Sequence, residues 1–253
     1  MIKPIQICIF VFLILPAVIL AGNSDTTTRF LEPVHKNVIK FNPTPMLLWS
    51  MKNVTFSYER VINPRQTLSV EIGFLELPRL ISDTLAGLVK ISSRWKQGLN
   101  LTFEYRFYLT RLNARPVPAG LYIGPYLTYY GYRFKNDFDI LHASIDDKGM
   151  IQGHFWSFNL GAELGYQFVF GKRFTLDMVM LGPSMSYYGG STGISGQLDP
   201  EQQQLIQEEI YNRLKEKFPG MQFIPANSGF KQTGKLDLFW IGFRYLVQVG
   251  FHF

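Results

Sequence analysis

Polar and apolar residues alternate with a period of two along most of this chain. Between 99 and 110, Leu99, Leu101, Phe103, Tyr105, Phe107 and Leu109 share one face of an extended segment, and Asn100, Thr102, Glu104, Arg106, Tyr108 and Thr110 share the other. Successive strand residues point to opposite faces, so such a run predicts a strand lying between two different environments. The same reading sets Val54, Phe56 and Tyr58 against Thr55, Ser57 and Glu59, and Leu68, Val70, Ile72 and Phe74 against Ser69, Glu71 and Gly73. It also sets Trp156, Phe158, Leu160 and Phe168 against Ser157, Asn159, Glu163 and Gln167, and Phe239, Phe243, Tyr245 and Phe251 against Gly242, Arg244, Gln248 and His252. Three further segments, 37–48, 118–133 and 173–188, carry Pro43, Pro45, Pro125 and Pro183. Proline within a strand marks a bulge or a strand end, so boundaries are loosest there.

The segments run well past the ~5–6 residues of an average strand and reach the ~9–11 that a tilted strand needs to cross a bilayer. One face is continuously bulky and apolar, while the other carries Gly, Ser, Thr, Asn and single charges. About eight strands enclose room for side chains only, so the small polar face is expected inside and the Phe and Tyr face outside, toward lipid. Closure leaves no strand edge, which satisfies every backbone group within a membrane. The predicted fold is therefore all-β: a closed antiparallel up-and-down transmembrane β-barrel of about eight strands, spanning 37–253. The inward register collects Glu59, Glu71, Glu104, Arg106, Glu163, Asp177 and Arg244 as a polar network in the lumen, where buried charges must pair. Connections at 63–66, 112–117 and 171–173 are short and rich in turn residues, as periplasmic turns are. Those at 76–97, 134–152 and 189–234 are long, as outer loops are, whereas the first outer connection, 50–52, is short.

Within 189–234 the period changes. Asp199 and Pro200 form a helix start, Pro219 and Gly220 a stop, and Ile206, Ile210, Leu214 and Phe218 fall on one stripe at spacing four. An amphipathic helix is predicted over about 200–218. Its stripe either packs on neighbouring loop residues or offers a docking face to a surface partner.

Composition sharpens this picture. Aromatic residues make up 15% and charged residues only 17%, with 22 Phe and 13 Tyr. The formal charge is +6, yet there is no run of five basic residues, so nucleic acid is not expected as a partner. Scattered basic residues suit outer-membrane lipid and lipopolysaccharide. Residues 1–22 combine Lys3, an apolar run from Ile5 to Leu20 and small residues at Ala21 and Gly22, the pattern of a secretory signal peptide. Residues 23–36 then form a polar periplasmic lead. The single cysteine, Cys8, lies in the leader, which leaves the exported chain without disulfides or thiol metal sites.

No catalytic constellation emerges. His154 and Ser157 are three apart on a strand and face opposite ways, and no histidine pair has metal-ligand spacing. The glycine-rich 189–196 lacks a P-loop lysine. No catalytic residue, cofactor or metal is assigned. Asn53 and Asn100 begin glycosylation sequons and prompt a rival reading, a secreted lipocalin-like barrel. That rival needs an apolar lumen and a polar exterior, the reverse of the pattern here.

The alternating aromatic strand that closes on Phe251 and Phe253 resembles the C-terminal strand signature of bacterial outer-membrane barrels. More broadly, 37–253 resembles the small eight-stranded barrels of the OmpA/OmpX type, in the versions common in Bacteroidota. The resemblance implies residence in the bacterial outer membrane and delivery by the barrel-assembly machinery through Phe251 and Phe253. It supplies no catalytic residues. The expected role is non-enzymatic, structural or surface-interacting. A narrow pore for small solutes and a lipid-modifying enzyme stand as alternatives.

Overall fold

The computed structural model describes residues 35–76, 84–85, 89–109, 115–140, 148–196, 199–217 and 235–253. The leader at 1–22, and the lead at 23–36 apart from His35 and Lys36, lie outside the described residues. In chain order the elements are β1 (Asn37–Phe41), α1 (Thr44–Leu48), β2 (Val54–Asn63), β3 (Gln66–Leu75), β4 (Thr84–Leu85), β5 (Val89–Tyr108), β6 (Gly120–Ile140), β7 (Lys148–Phe170), β8 (Phe174–Ser195), α2 (Pro200–Lys217) and β9 (Lys235–His252). Each long strand pairs antiparallel with the next, β3 pairs with β5, and β9 returns to β1. Eight strands thus close a ring, with the two-residue β4 added to the outer end of β5.

Burial alternates along these strands. In β2, Thr55, Ser57 and Glu59 are buried while Phe56, Tyr58 and Ile62 are exposed, and β3 repeats this with Thr67, Ser69 and Glu71 against Leu68, Ile72 and Phe74. The polarity is inverted relative to a soluble barrel, and the apolar wall forms the band that contacts lipid. Aromatic clusters edge that band at both ends. Tyr166 and Phe168 (4.4 Å between centroids) and Phe174 and Phe251 (5.6 Å) lie near the short turns. Tyr129 and Phe158 (5.0 Å) with Trp156 and Tyr187 (5.3 Å) lie near the other end. A buried apolar floor of Val61, Tyr108, Val117, Tyr122, Val179 and Leu246 closes the turn end of the lumen.

Two expectations need correction. The first strand does not continue to 48; it stops at Phe41. Pro43 and Pro45 have no N–H to give to a ladder, and Pro43 holds αR geometry, so the chain turns into α1 instead. The Asn42 side chain accepts from Thr44 N (3.0 Å). Thr44 Oγ1 then stands in for the missing strand: it donates to Val247 O and accepts from Val247 N (2.9 Å). By contrast, Pro125 and Pro183 lie inside continuous strands, with pairing interrupted beside each. Gly124, next to Pro125, is needed there, because a Cβ would meet Tyr105 O at 2.1 Å.

The second correction concerns the outer loops. Strand takes up 89–97 of the first, 134–140 and 148–152 of the second and 189–195 of the third, since β5, β6, β7 and β8 run 20, 21, 23 and 22 residues. Past the apolar band the polarity of these strands exchanges. Phe134, Phe138 and Ile151 are buried on the lumen side, whereas Arg133, Lys135, Gln152 and His154 are exposed outside. The wall becomes an ordinary sheet in water, apolar within. Helix α2 begins where the sequence placed it, and Asp199 N–H donates to Gln202 Oε1 (3.1 Å), half of a capping box.

Candidate functional site

The described residues bury three cations, Lys40, Arg106 and Arg244, and five carboxylates, Glu59, Glu71, Glu104, Glu163 and Asp177. They come from seven strands and meet in one chain of ion pairs along the lumen. At the turn end, Lys40 Nζ contacts Glu59 Oε2 (2.6 Å) and Asp177 Oδ2 (2.5 Å). Arg106 follows, reaching Asp177 Oδ2 (2.6 Å), Glu104 Oε2 (2.6 Å) and Glu163 Oε1 (3.2 Å), with its guanidinium 4.4 Å from the Tyr122 ring centre. Arg244 takes the second oxygens of the same two glutamates, Glu104 Oε1 (2.5 Å) and Glu163 Oε2 (2.8 Å). It lies 3.9 Å from Glu71 Oε1. Glu71 ends the chain by accepting from Asn42 (3.1 Å), Asn100 (2.9 Å) and Gln248 (2.7 Å).

Neutral donors complete the remaining oxygens. Thr67 donates to Glu59 (2.6 Å) and Tyr122 to Asp177 (2.7 Å), while the single Tyr108 O–H lies between two acceptors, Glu59 (3.1 Å) and Gln167 (2.9 Å). Buried charge survives when it is paired and hydrogen-bonded; every charge here is paired, and hydrogen bonds add to most of the pairs, whereas Glu104 is held by its ion pairs to Arg106 and Arg244. Lys40, Glu59, Arg106, Gln167 and Asp177 have essentially no accessible surface, so they form a solid plug across the barrel.

All seven lumen residues expected from the sequence lie inside and touch one another through this chain. Lys40 was missed. Its signal was available, because Ile39 and Phe41 flank it as outward apolar neighbours, but the prolines obscured that strand's phase. Tyr108 lies inward, in the phase the sequence gives it, but its hydroxyl was not expected as a network partner; Tyr122 and Tyr126 belong to 118–133, where Pro125 leaves the phase unread.

The outer rim holds a second polar cluster. Glu76 accepts from Ser50 (3.0 Å) and contacts Lys96 (3.3 Å) and Lys52 (3.7 Å), and its N–H donates to Asn53 Oδ1 (2.6 Å). Burial works to raise the Glu76 carboxyl, but the Ser50 and Lys96 hydrogen bonds and the two lysine charges outweigh it and hold the group below its ordinary value. In α2, Ile206 and Ile210 are buried, so that part of the stripe is satisfied within the fold and offers no free docking face. The Leu214 side chain and Phe218 lie outside the described residues. Phe253 is 54% exposed at the end of β9, and Phe251 packs on Phe174.

His154 and Ser157 face apart, as expected. Cross-strand pairing instead brings Ser191 Oγ to 3.3 Å from His154 Nδ1 on the exposed outer face. Both sit on regular, paired strands, so their backbone N–H groups are engaged in ladders and form no oxyanion hole.

Residues 17–188 match the model of a family described as a protein of unknown function, DUF3575. The chain belongs to that family. No curated protein matches it. Among solved structures it is similar to CarO2 of Acinetobacter baumannii, at 11% identity over 87% of this chain and 98% of that one, with a TM-score of 0.38. It is likewise similar to a major outer membrane protein of Thermus thermophilus, at 9% identity over 87% of this chain and 100% of that one, also at 0.38.

Proposed function

We propose that this DUF3575 member is a non-enzymatic integral protein of the bacterial outer membrane, exported by its leader, with a structural or surface-interacting role. The observation that carries the reading is the combination of an apolar exterior band with a lumen closed by paired charges. Such a barrel needs a bilayer around it and has no room for a water-filled path through the Lys40–Arg106 layer. The likeness to OmpA/OmpX-type barrels, and recognition of Phe251 and Phe253 by the assembly machinery, are parts of the same proposal. The regular, ladder-bound setting of His154 and Ser191 disfavours the alternative of a lipid-modifying enzyme that works through this pair.

Two measurements test it. The purified protein is expected to run faster unboiled than boiled on a denaturing gel, as closed barrels do. It is expected to give no steady conductance in planar bilayers. Reproducible channels from pure protein would overturn the closed-lumen reading in favour of a pore, and a detergent-independent soluble monomer would overturn the membrane reading.

A further inference from the structure

The outward face above the aromatic edge carries a cross-strand row in continuous register. Gln97 pairs with Arg133, Arg133 with His154, His154 with Ser191, and Ser191 with Lys235. Lys135 lies one step further out on β6, between Trp95 and Gln152. Arg133 and Lys135 are exposed, and their side chains make no hydrogen bond or ion pair with another described residue. The carboxylate further along that face of β6, Asp137, is engaged by the Ser93 hydroxyl (2.6 Å). Two exposed cations about 7 Å apart thus stand beside a histidine–serine pair, with the anionic carboxylate of Asp137 one step beyond Lys135.

The place of this row fixes what it meets. Directly below it is Trp156, whose indole lies across Gly189; a Cβ there would come within 2.3 Å of Trp156 Cζ2. Below that come Tyr129, Phe158 and Tyr187, then the exposed Leu127 and Leu160 of the lipid-facing wall. A strand tilted by ~40° climbs ~2.5 Å per residue, which puts His154 roughly 40 Å above Phe170. A bilayer with its headgroup layers is ~40–45 Å thick, so the row stands at outer headgroup height.

We infer that Arg133 and Lys135, with His154 and Ser191, form a binding site for the phosphate of an acylated outer-leaflet glycolipid, whose chains lie down the Trp156, Phe158 and Leu160 wall. This rests on the outer-membrane reading and gives its surface a specific partner. A free anion would use only the cations, whereas this site couples them to an apolar wall directly beneath.

The purified barrel in detergent is titrated with a bis-phosphorylated, acylated diglucosamine lipid, and occupancy is read by native mass spectrometry. One lipid is expected per barrel. Arg133→Gln with Lys135→Gln is expected to weaken binding about thirtyfold, at about fivefold per juxtamembrane cation. A control losing two charges elsewhere on the rim, Lys90→Gln with Lys148→Gln, is expected to bind like the parent. The dephosphorylated lipid is expected not to bind, and millimolar inorganic phosphate is expected not to displace the bound lipid. The site is overturned if the first double variant binds like the parent, if the control weakens equally, or if inorganic phosphate displaces the lipid. Heat-modifiable mobility of each preparation separates the two failures: its loss in the parent strikes the barrel reading, whereas its retention with insensitive binding strikes the site alone.

Discussion

Arg244→Leu removes the guanidinium that links the outer half of the lumen network. The structure sets the size of the effect. Arg244 is within 2.8 Å of Glu104 and Glu163, but only 3.9 Å from Glu71. Breaking a buried ion pair by removing one partner costs ~3–5 kcal/mol, because the other charge is stranded. Here Glu104 and Glu163 keep Arg106, at 2.6 and 3.2 Å, so the loss belongs at the lower end, about 3 kcal/mol. For a chain of this size, ~2–4 °C per kcal/mol makes that a fall of about 10 °C in the melting temperature in detergent. Adding Glu104→Gln removes one carboxylate that has lost one of its two arginines and returns the excess of carboxylates over cations to its original value. The double variant should therefore recover a large part of the loss, and the coupling can be read from a double-mutant cycle. The assay is the urea midpoint in detergent micelles, supported by the temperature at which the fast-migrating gel band disappears. An Arg244→Leu midpoint equal to the parent's would refute the network as a source of stability. A loss without recovery in the double variant would assign the effect to packing rather than charge.

Gly124→Ala forces a methyl group against Tyr105 O at 2.1 Å and is expected to lower the same midpoint by ~1–3 kcal/mol. Ile206→Ser with Ile210→Ser is expected to expose α2 to protease while leaving barrel melting unchanged, because both side chains are buried outside the lumen network. A cleavage pattern identical to the parent's would contradict that docking. Glu76 titrates lower in the folded rim than its ordinary value of 4.5, so its contribution is in place above that value and is lost as pH falls through the lowered one. Hydrogen exchange at the Asn53 and Glu76 amides is expected to speed up on acidification in the parent, and to be already fast and insensitive to pH in this range in Glu76→Gln, once intrinsic rates are corrected for.

What could be read from the sequence follows the physics of each segment. Wherever a strand crosses the lipid band, alternation alone placed Glu59, Glu71, Glu104, Arg106, Glu163, Asp177 and Arg244 inward, because one phase meets acyl chains and the other a crowded lumen. It failed at Lys40 and Asn42, where Pro43 and Pro45 replace strand with a turn of helix and the run is too short for its phase to stand out. Thr44, whose hydroxyl completes the wall against Val247, gives no periodic signal at all. The outer halves of β5 to β8 read as loops in the sequence for a different reason. Their alternation continues, but with Phe134 and Phe138 in the phase that carries Tyr126 and Thr128 lower down, and Arg133 and Lys135 in the phase that carries Leu127 and Tyr129. A bulge would produce the same exchange by flipping every side chain to the other face. It is not the cause here, because β6 and β7 pair without a register shift from Gly120 opposite Gln167 to Asp139 opposite Lys148. The strand keeps its geometry while the solvent on its outer face changes from lipid to water. The exchange of phase between Tyr132 and Phe134 therefore marks the outer surface of the membrane on the sequence itself, and it puts Arg133 at the boundary where an anionic headgroup would be met.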